Sequence, residues 1–274
     1  MHIRFRFAKL GKIRFTSQRD VARMWERALR RAGLPLAYSR GFSPRPQLSF
    51  GLALPTGCES LAEYLDVVLD EDRPEAAGVD VPSLPARLTD LLPAGIGVDG
   101  VTLVERSTGS LQQLVTSCSW VMAIAGLSRA QLEERVALLL EATSVPITRE
   151  RKGREESDDL RPSVLSLAVC DLAEPPFGRG AEGSGTLVAE LATQPRGVRP
   201  VELVRGLVAV SGPGEGDPQA GANAGGTTGG VPVLDRACRT QQWIERDGIR
   251  EEPLEPRGDT AGVDRAAHAL ERAS

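Results

Sequence analysis

Residues 2–33 read HIRFRFAKLGKIRFTSQRDVARMWERALRRAG, and this stretch decides the fold of the first half of the chain. Its first residues alternate between polar and apolar, which predicts a half-buried strand with its apolar side chains on one face. Ser17, with Asp20 three residues later, is typical of a helix N-cap, and Gly33 is typical of the residue that ends a helix. The stretch therefore predicts a strand, a turn and a helix in succession.

The segments that follow extend this unit. Turn-forming residues separate them, and they predict three strands, a helix and a strand, near residues 36–38, 47–52, 62–69, 83–92 and 97–104. A strand, a helix, further strands, a helix and a last strand make up the ferredoxin-like pattern.

The second half of the chain repeats this order of elements, without residue-level identity to the first. It predicts a strand, a helix, three strands, a helix and a closing strand, near residues 117–125, 128–142, 146–150, 163–170, 185–191, 200–208 and 240–245. We therefore expect an α+β protein of two tandem ferredoxin-like lobes, with antiparallel sheets that carry helices on one face.

The same pattern predicts the domain limits. The first lobe covers residues 1–108, the second covers 109–250, and the charged, Ala/Gly-rich residues 251–274 predict a poorly ordered tail. Within the second lobe, residues 211–230 hold eight glycines and no basic residue. That composition is typical of a flexible insert.

Charge is unevenly distributed along the chain. The net charge is −4, yet the first 50 residues hold 12 Lys and Arg against two acidic residues. The same 50 residues contain seven of the chain's 11 aromatic residues. Basic residues interleaved with aromatic ones favour a surface for a polyanion, and RNA is the first candidate.

Composition also argues against several classes of function. The four cysteines are far apart and form no C-x-x-C pair, and the two histidines are His2 and His268. We therefore expect no metal and no cofactor, and little acid–base chemistry. No stretch approaches the roughly 20 apolar residues of a membrane span, and the N-terminal residues lack the apolar segment of a signal peptide. A cytoplasmic chain without a membrane partner is the expectation.

The first helix contains the sharpest candidate site. At 100° per residue, its arginines fall within an arc of about 120°, and they are Arg19, Arg23, Arg27, Arg30 and Arg31. Arginines four residues apart repel one another, and the regularly spaced phosphates of an RNA would offset that repulsion. The alternative is a solvated helix face without a ligand.

Two flanking segments complete the candidate surface. The turn before the helix offers Lys9, Lys12 and Arg14 as phosphate ligands. The loop at residues 39–46 offers Arg40, Phe42 and Arg45, and single-stranded RNA is bound by such stacking rings and arginines. The alternative for Phe42 is that it fills the core.

Six segments together resemble the uncharacterised bacterial family of radical SAM-linked proteins. They are Lys9–Asp20, Glu26–Pro35, Ala37–Pro46, Leu48–Phe50, Glu63–Asp66 and Asp159–Pro162, and the resemblance extends over most of residues 1–210. It implies a domain fused to, or encoded beside, a radical SAM protein, often near genes of RNA metabolism. The chain itself has no C-x-x-x-C-x-x-C motif, so a radical SAM cluster would belong to the partner.

Two positions depart from the family pattern. Many relatives have His where this chain has Gln18, and some have His where it has Arg45. Because a glutamine amide does not transfer protons at neutral pH, the departure at Gln18 favours binding over catalysis. The layout also resembles the RNA-binding ferredoxin-like domains of CRISPR repeat-processing endoribonucleases.

These observations predict an RNA-binding accessory protein of a radical SAM enzyme that modifies or processes tRNA or rRNA. One alternative is a metal-independent RNA-processing or RNA-modifying enzyme, and whether the chain has its own catalytic activity stays open. Another is a protein–protein adaptor whose arginine row docks on an acidic face of the radical SAM partner.

Overall fold

A computed structural model describes residues 1–105, 109–151, 153–172, 175–178, 183–210 and 230–254. The chain has a mixed α/β fold of mostly antiparallel sheet with few helices. It forms two compact units. Unit 1 contains Met1–Thr116 and the described residues from Gln241 onward, and unit 2 contains Ser117–Thr240.

Some of the predictions are not tested by this division. The predicted limits 1–108 and 109–250 stay predictions. The predicted flexible insert at 211–230 lies outside the described residues except for Gly230, and so does the predicted tail from residue 255 onward. Within the part of the chain that the structure describes, no helix is long and apolar enough to cross a membrane.

Unit 1 follows the predicted order of strand, helix, strands, helix and strand. Its elements are β1 (His2–Lys9), α1 (Gln18–Arg31), β2 (Leu48–Phe50), β3 (Glu59–Val68), α2 (Leu84–Leu91), β4 (Ile96–Leu103) and the short α3 (Leu111–Leu114). Strand β1 lies antiparallel between β3 and β4, and β2 pairs with the other edge of β3. The predicted strand at 36–38 is wrong, because Leu36 and Tyr38 form only isolated bridges and the neighbouring prolines lack an N–H to donate.

The core of unit 1 lies between α1 and β1. Phe5 and Phe7 pack against Trp25 with ring centroids 5.7 and 5.0 Å apart. Asp20 donates its backbone N–H to Ser17 Oγ at 3.2 Å, so the predicted N-cap is confirmed. Burial of each large apolar side chain contributes about 1.5–3 kcal/mol. This packing fixes which face of α1 points to solvent.

Unit 2 is built from longer strands. Its elements are β5 (Val115–Ala125), α4 (Arg129–Glu141), β6 (Pro146–Arg151), β7 (Arg154–Asp159), β8 (Val164–Val169), β9 (Gly185–Ala192), α5 (Pro200–Ala209) and β10 (Val233–Arg246). Strand β9 pairs antiparallel with both β5 and β8, and β6 and β7 form a separate hairpin. Residues of β10 from Gln241 onward belong to unit 1, where they pair with β11 (Ile249–Glu251).

The Asp159–Pro162 segment has a structural role in unit 2. Asp159 Oδ1 accepts the backbone N–H of Val145 at 2.8 Å and of Arg161 at 3.0 Å. The Arg161 guanidinium donates to the carbonyl oxygens of Leu140 and Val164, both at 3.1 Å. Arg161 therefore satisfies a carbonyl at the C-terminal end of α4, which helix ends leave unpaired.

Candidate nucleic-acid interface

The exposed side of α1 forms what we term the arginine face: Arg19, Arg23, Arg27, Arg30 and Arg31. All five are exposed, because the opposite side of the helix is buried in the core. Arg23 pairs with Asp20 and Arg30 with Glu26, each at 3.3 Å. The other three arginines form no ion pair within the described ranges. Surface pairs of this kind are weak, and the five arginines outnumber the two acidic residues of α1, so the face keeps a net positive charge.

The basic turn, a 3₁₀ helix at Gly11–Phe15, precedes α1. Lys12 is exposed, and the Arg14 guanidinium lies 4.3 Å from the centroid of the Phe15 ring. The Phe15 side chain is 62 % exposed, which is unusual for phenylalanine. An exposed ring beside a guanidinium suits a stacked base and its phosphate. Phe15 is not among the residues predicted for the site, although its position between Arg14 and the helix cap Ser17 is a signal in the sequence.

Lys9 takes a different role from the one predicted. Its side chain is buried, and its Nζ donates to the carbonyl oxygens of Thr16 at 3.0 Å and Arg14 at 3.4 Å. Burial lowers the pKa of Lys9, and the nearby Glu63 carboxylate opposes that shift. Lys9 therefore stabilises the basic turn through hydrogen bonds from the protein interior, and its charge is not exposed to solvent.

The Phe42 loop, residues 39–46, presents its ring to solvent. Phe42 is fully exposed, so it does not fill the core. The loop is closed by the Ser39 N–H, which donates to the Arg45 carbonyl at 2.8 Å, and by the Arg45 N–H, which donates to Ser39 Oγ at 3.1 Å. Arg40 and Arg45 are exposed and form no ion pair with any described residue.

The predicted residues do not lie in one cluster. The basic turn, the arginine face and the Phe42 loop follow one another along unit 1, and we term them together the track. The basic turn follows Lys9, which pairs with Ser60, whereas the Phe42 loop lies beside Val68, which pairs with His2. These are opposite ends of β1, about 20 Å apart at the rise of a strand. Helix α1 starts at the basic turn and covers a similar length. One strand of stacked nucleotides rises about 3.4 Å per nucleotide, so a track of this length spans about six phosphates.

The remaining arginines of the basic block are structural. Arg4 and Arg6 project from the opposite face of β1 and are buried. Arg4 donates to both oxygens of Asp66, at 2.7 and 2.9 Å, and Arg6 pairs with Asp99. Burial raises the pKa of the adjacent Tyr64 well above its usual range, so its hydroxyl stays protonated at physiological pH.

Gln18 is the first residue of α1. It is half-buried directly after the Ser17 cap. Near it, the Asp20 carboxylate accepts hydrogen bonds from the Ser17 hydroxyl at 2.7 Å and from Arg23 at 3.3 Å.

Comparison with known proteins places the chain among bacterial sequences. A family model described as "Uncharacterized protein conserved in bacteria (DUF2344)" matches residues 2–200. No curated protein matches the chain. Among solved structures, the crystal structure of a Cbf5-Nop10-Gar1 complex is similar at a TM-score of 0.41 and 11 % identity, over 87 % of this chain and 49 % of that chain. The chain thus spans about half of that chain, and a likeness at this level supports no conclusion about function.

Proposed function

The chain belongs to the DUF2344 family of uncharacterised proteins conserved in bacteria, and we propose that this member binds RNA along unit 1. The arginine face is the observation that carries the proposal. Its arginines repel one another across α1, and Arg19, Arg27 and Arg31 have no acidic partner in the described part of the chain. The phosphates of an RNA would offset this repulsion through charge-assisted hydrogen bonds.

The track has an exposed phenylalanine ring at each end, and these rings favour RNA with unpaired bases. Phe15 and Phe42 are among the most exposed large apolar side chains of the described residues. Rings of this kind stack on unpaired bases, and such stacking contributes about 1–3 kcal/mol per base. A structured RNA with a loop or bulge, such as tRNA or rRNA, offers both a continuous phosphate backbone and unstacked bases.

Strand order supports a ferredoxin-like architecture for each unit. In unit 1 the strands lie in the order β4-β1-β3-β2, and all of these pairs are antiparallel. Helices α1 and α2 share one core with β1, so both lie on the same face of the sheet. In unit 2 the strands lie in the order β10-β5-β9-β8, with the β6–β7 hairpin inserted after α4. We infer two tandem ferredoxin-like lobes from this arrangement.

The partner is the second part of the proposal. The resemblance to radical SAM-linked proteins supports a role as accessory to a separate radical SAM enzyme that acts on tRNA or rRNA. In this role the chain supplies affinity for the RNA, and the partner supplies the cluster chemistry. Co-purification of a radical SAM protein that survives ribonuclease treatment would indicate direct contact, whereas loss on treatment would indicate an RNA bridge.

A charge-reversal experiment tests RNA binding. We expect Arg23→Glu with Arg27→Glu to weaken binding of a labelled tRNA transcript more than tenfold, measured by fluorescence anisotropy at low salt. The control is Arg129→Glu with Arg205→Glu, which makes the same change in net charge on exposed helix positions of unit 2. The control should stay within about twofold of wild type, because it lies outside the track.

Two outcomes would contradict the proposal. Equal losses in both variants would mean that only net charge matters, and unchanged affinity in the Arg23/Arg27 variant would remove the arginine face from the interface. Thermal unfolding of both variants should match wild type, since exposed substitutions change stability by at most about 0.5 kcal/mol.

A further inference from the structure

A pocket of about 250 Å³ opens on unit 1, on the sheet face that points away from α1. Leu65 and Val67 of β3 belong to the helix-side core, so the alternating residues Asp66 and Val68 point to the other face. His2 pairs with Val68, and Ser49 of β2 pairs with Asp66. The pocket therefore lies where β1, β2 and β3 meet at one end of the sheet.

Several polar residues line this pocket. They are His2, Gln47, Ser49, Asp66 and Ser110, and strand alternation directs the side chains of His2, Ser49 and Asp66 to this face. Arg4 holds the Asp66 carboxylate through two hydrogen bonds of 2.7 and 2.9 Å, which fixes its orientation. The Gln47 amide N–H donates to the Tyr38 carbonyl at 3.1 Å, which leaves its carbonyl oxygen as an acceptor.

Two apolar residues lie among these polar ones. Val68 and Val104 line the same space, whereas the Leu48 side chain packs into the helix-side core. Binding sites for small molecules combine an apolar lining with a few fixed polar groups. At about 30 Å³ per water, the pocket holds roughly eight water molecules. It lies just below the range of about 300–1,000 Å³ for drug-sized ligands, so it has room for a ligand of the size of a single nucleobase.

The pocket is continuous in sequence with the proposed RNA track. Gln47 directly follows Pro46, the last residue of the Phe42 loop, and its N–H donates to the Ala37 carbonyl at 2.9 Å. A base that leaves the stack at the Phe42 loop would therefore have a polar pocket beside it. Unpaired bases are recognised by hydrogen bonds to their edges in sites of this composition.

We propose that this pocket accepts one unpaired nucleobase. The RNA context rests on the proposed function, but the pocket itself binds a free nucleoside. Base recognition at this position would give the phosphate track a sequence preference that the arginines cannot supply, because phosphate contacts carry no base identity.

The two histidines of the chain, His2 and His268, provide the test. Adenosine, guanosine, cytidine and uridine are each added at millimolar concentration to the full-length protein, and the histidine ring signals are followed by NMR. We expect at least one nucleoside to shift the His2 signals in a saturable way. The absence of a His2 shift with all four nucleosides would overturn the proposal.

A pocket-filling variant completes the design. Ser49→Phe should abolish the nucleoside-induced shift, and Ser157→Phe, at an exposed strand position of unit 2, should leave it intact. A shift that persists in Ser49→Phe would contradict the assignment. Failure of the Arg23/Arg27 variant to weaken RNA binding would leave this result untouched, so the two proposals fail separately.

Discussion

Strand β1 and helix α1 both carry arginines, and the two elements use them in opposite ways. Arg4 and Arg6 of β1 are buried and paired with Asp66 and Asp99. Arg27 of α1 is exposed and has no ion-pair partner in the described part of the chain. Both faces of β1 are buried from Ile3 to Phe7, whereas a helix on a sheet exposes half of its surface.

The basic block at residues 1–50 therefore contains positive charges with two different roles. Some of its 12 positive charges hold the fold, and others are available to a ligand. Burial without a partner would be prohibitive for a charge, so each buried base is matched by a polar partner elsewhere in the chain.

The largest effect is expected at Arg6. Arg6→Met should destabilise the protein by about 3 kcal/mol, because it leaves Asp99 partly buried without its cation. Arg27→Met should change the free energy of unfolding by no more than about 0.5 kcal/mol. Urea unfolding followed by circular dichroism measures both. Similar losses of stability in the two variants would contradict the distinction between the buried Arg6 of β1 and the exposed Arg27 of α1.

A matched pair of lysines sharpens the comparison within one segment. Lys9→Met should destabilise the protein by about 2 kcal/mol, because it removes both hydrogen bonds that hold the basic turn. Lys12→Met should leave stability unchanged and weaken RNA binding about twofold to threefold, as expected for one exposed phosphate contact. Unfolding and anisotropy titrations of both variants check this. A stable Lys9→Met protein would show that the basic turn needs no support from Lys9.

Phe42→Ala should weaken binding of single-stranded RNA about fivefold, because one stacked base contributes about 1 kcal/mol or more. Its thermal stability should equal that of wild type, since the ring is fully exposed. Phe7→Ala is the contrasting variant, because Phe7 lies in the core against Trp25. Loss of stability in Phe42→Ala would place the ring in a packing role.

The smallest effect concerns Asp159, an exposed charge with a structural role. Hydrogen bonds from the backbone N–H groups of Val145 and Arg161 hold the pKa of Asp159 below its usual range. A carboxylate with a lowered folded-state pKa stabilises the fold above its unfolded pKa of about 3.9, and this contribution is lost as the pH falls below that value. Asp159→Asn should therefore unfold with a flatter pH dependence below about pH 4, in acid titrations followed by fluorescence.

Local sequence pattern was sufficient for the elements of unit 1 that pack against each other directly. The alternation in residues 2–8 predicted β1, and the spacing of apolar residues after Ser17 predicted α1 with its exposed arginines. Local pattern failed at Leu36 and Tyr38, because a strand exists only if a partner supplies its hydrogen bonds. That partner is determined by the fold and not by the residues themselves.

The site was only partly predictable for the same reason. The exposure of Arg27 follows from helix periodicity alone. The burial of Arg4 depends on residues as distant as Pro253, whose carbonyl accepts a hydrogen bond from Arg4 at 3.5 Å. The separation of the basic turn from the Phe42 loop depends on the register of β1 against β3. The pocket at His2 depends on the meeting of β1 with β2 and β3, which come much later in the sequence.

The dependence of RNA affinity on salt tests the central claim most directly. The logarithm of the association constant should fall linearly with the logarithm of salt concentration, by about 0.7 per phosphate contact on a single strand. A variant with Arg19, Arg23, Arg27 and Arg31 changed to alanine should reduce the slope by about 2–3 relative to wild type. An identical slope in the two proteins would show that the arginine face does not contact phosphates.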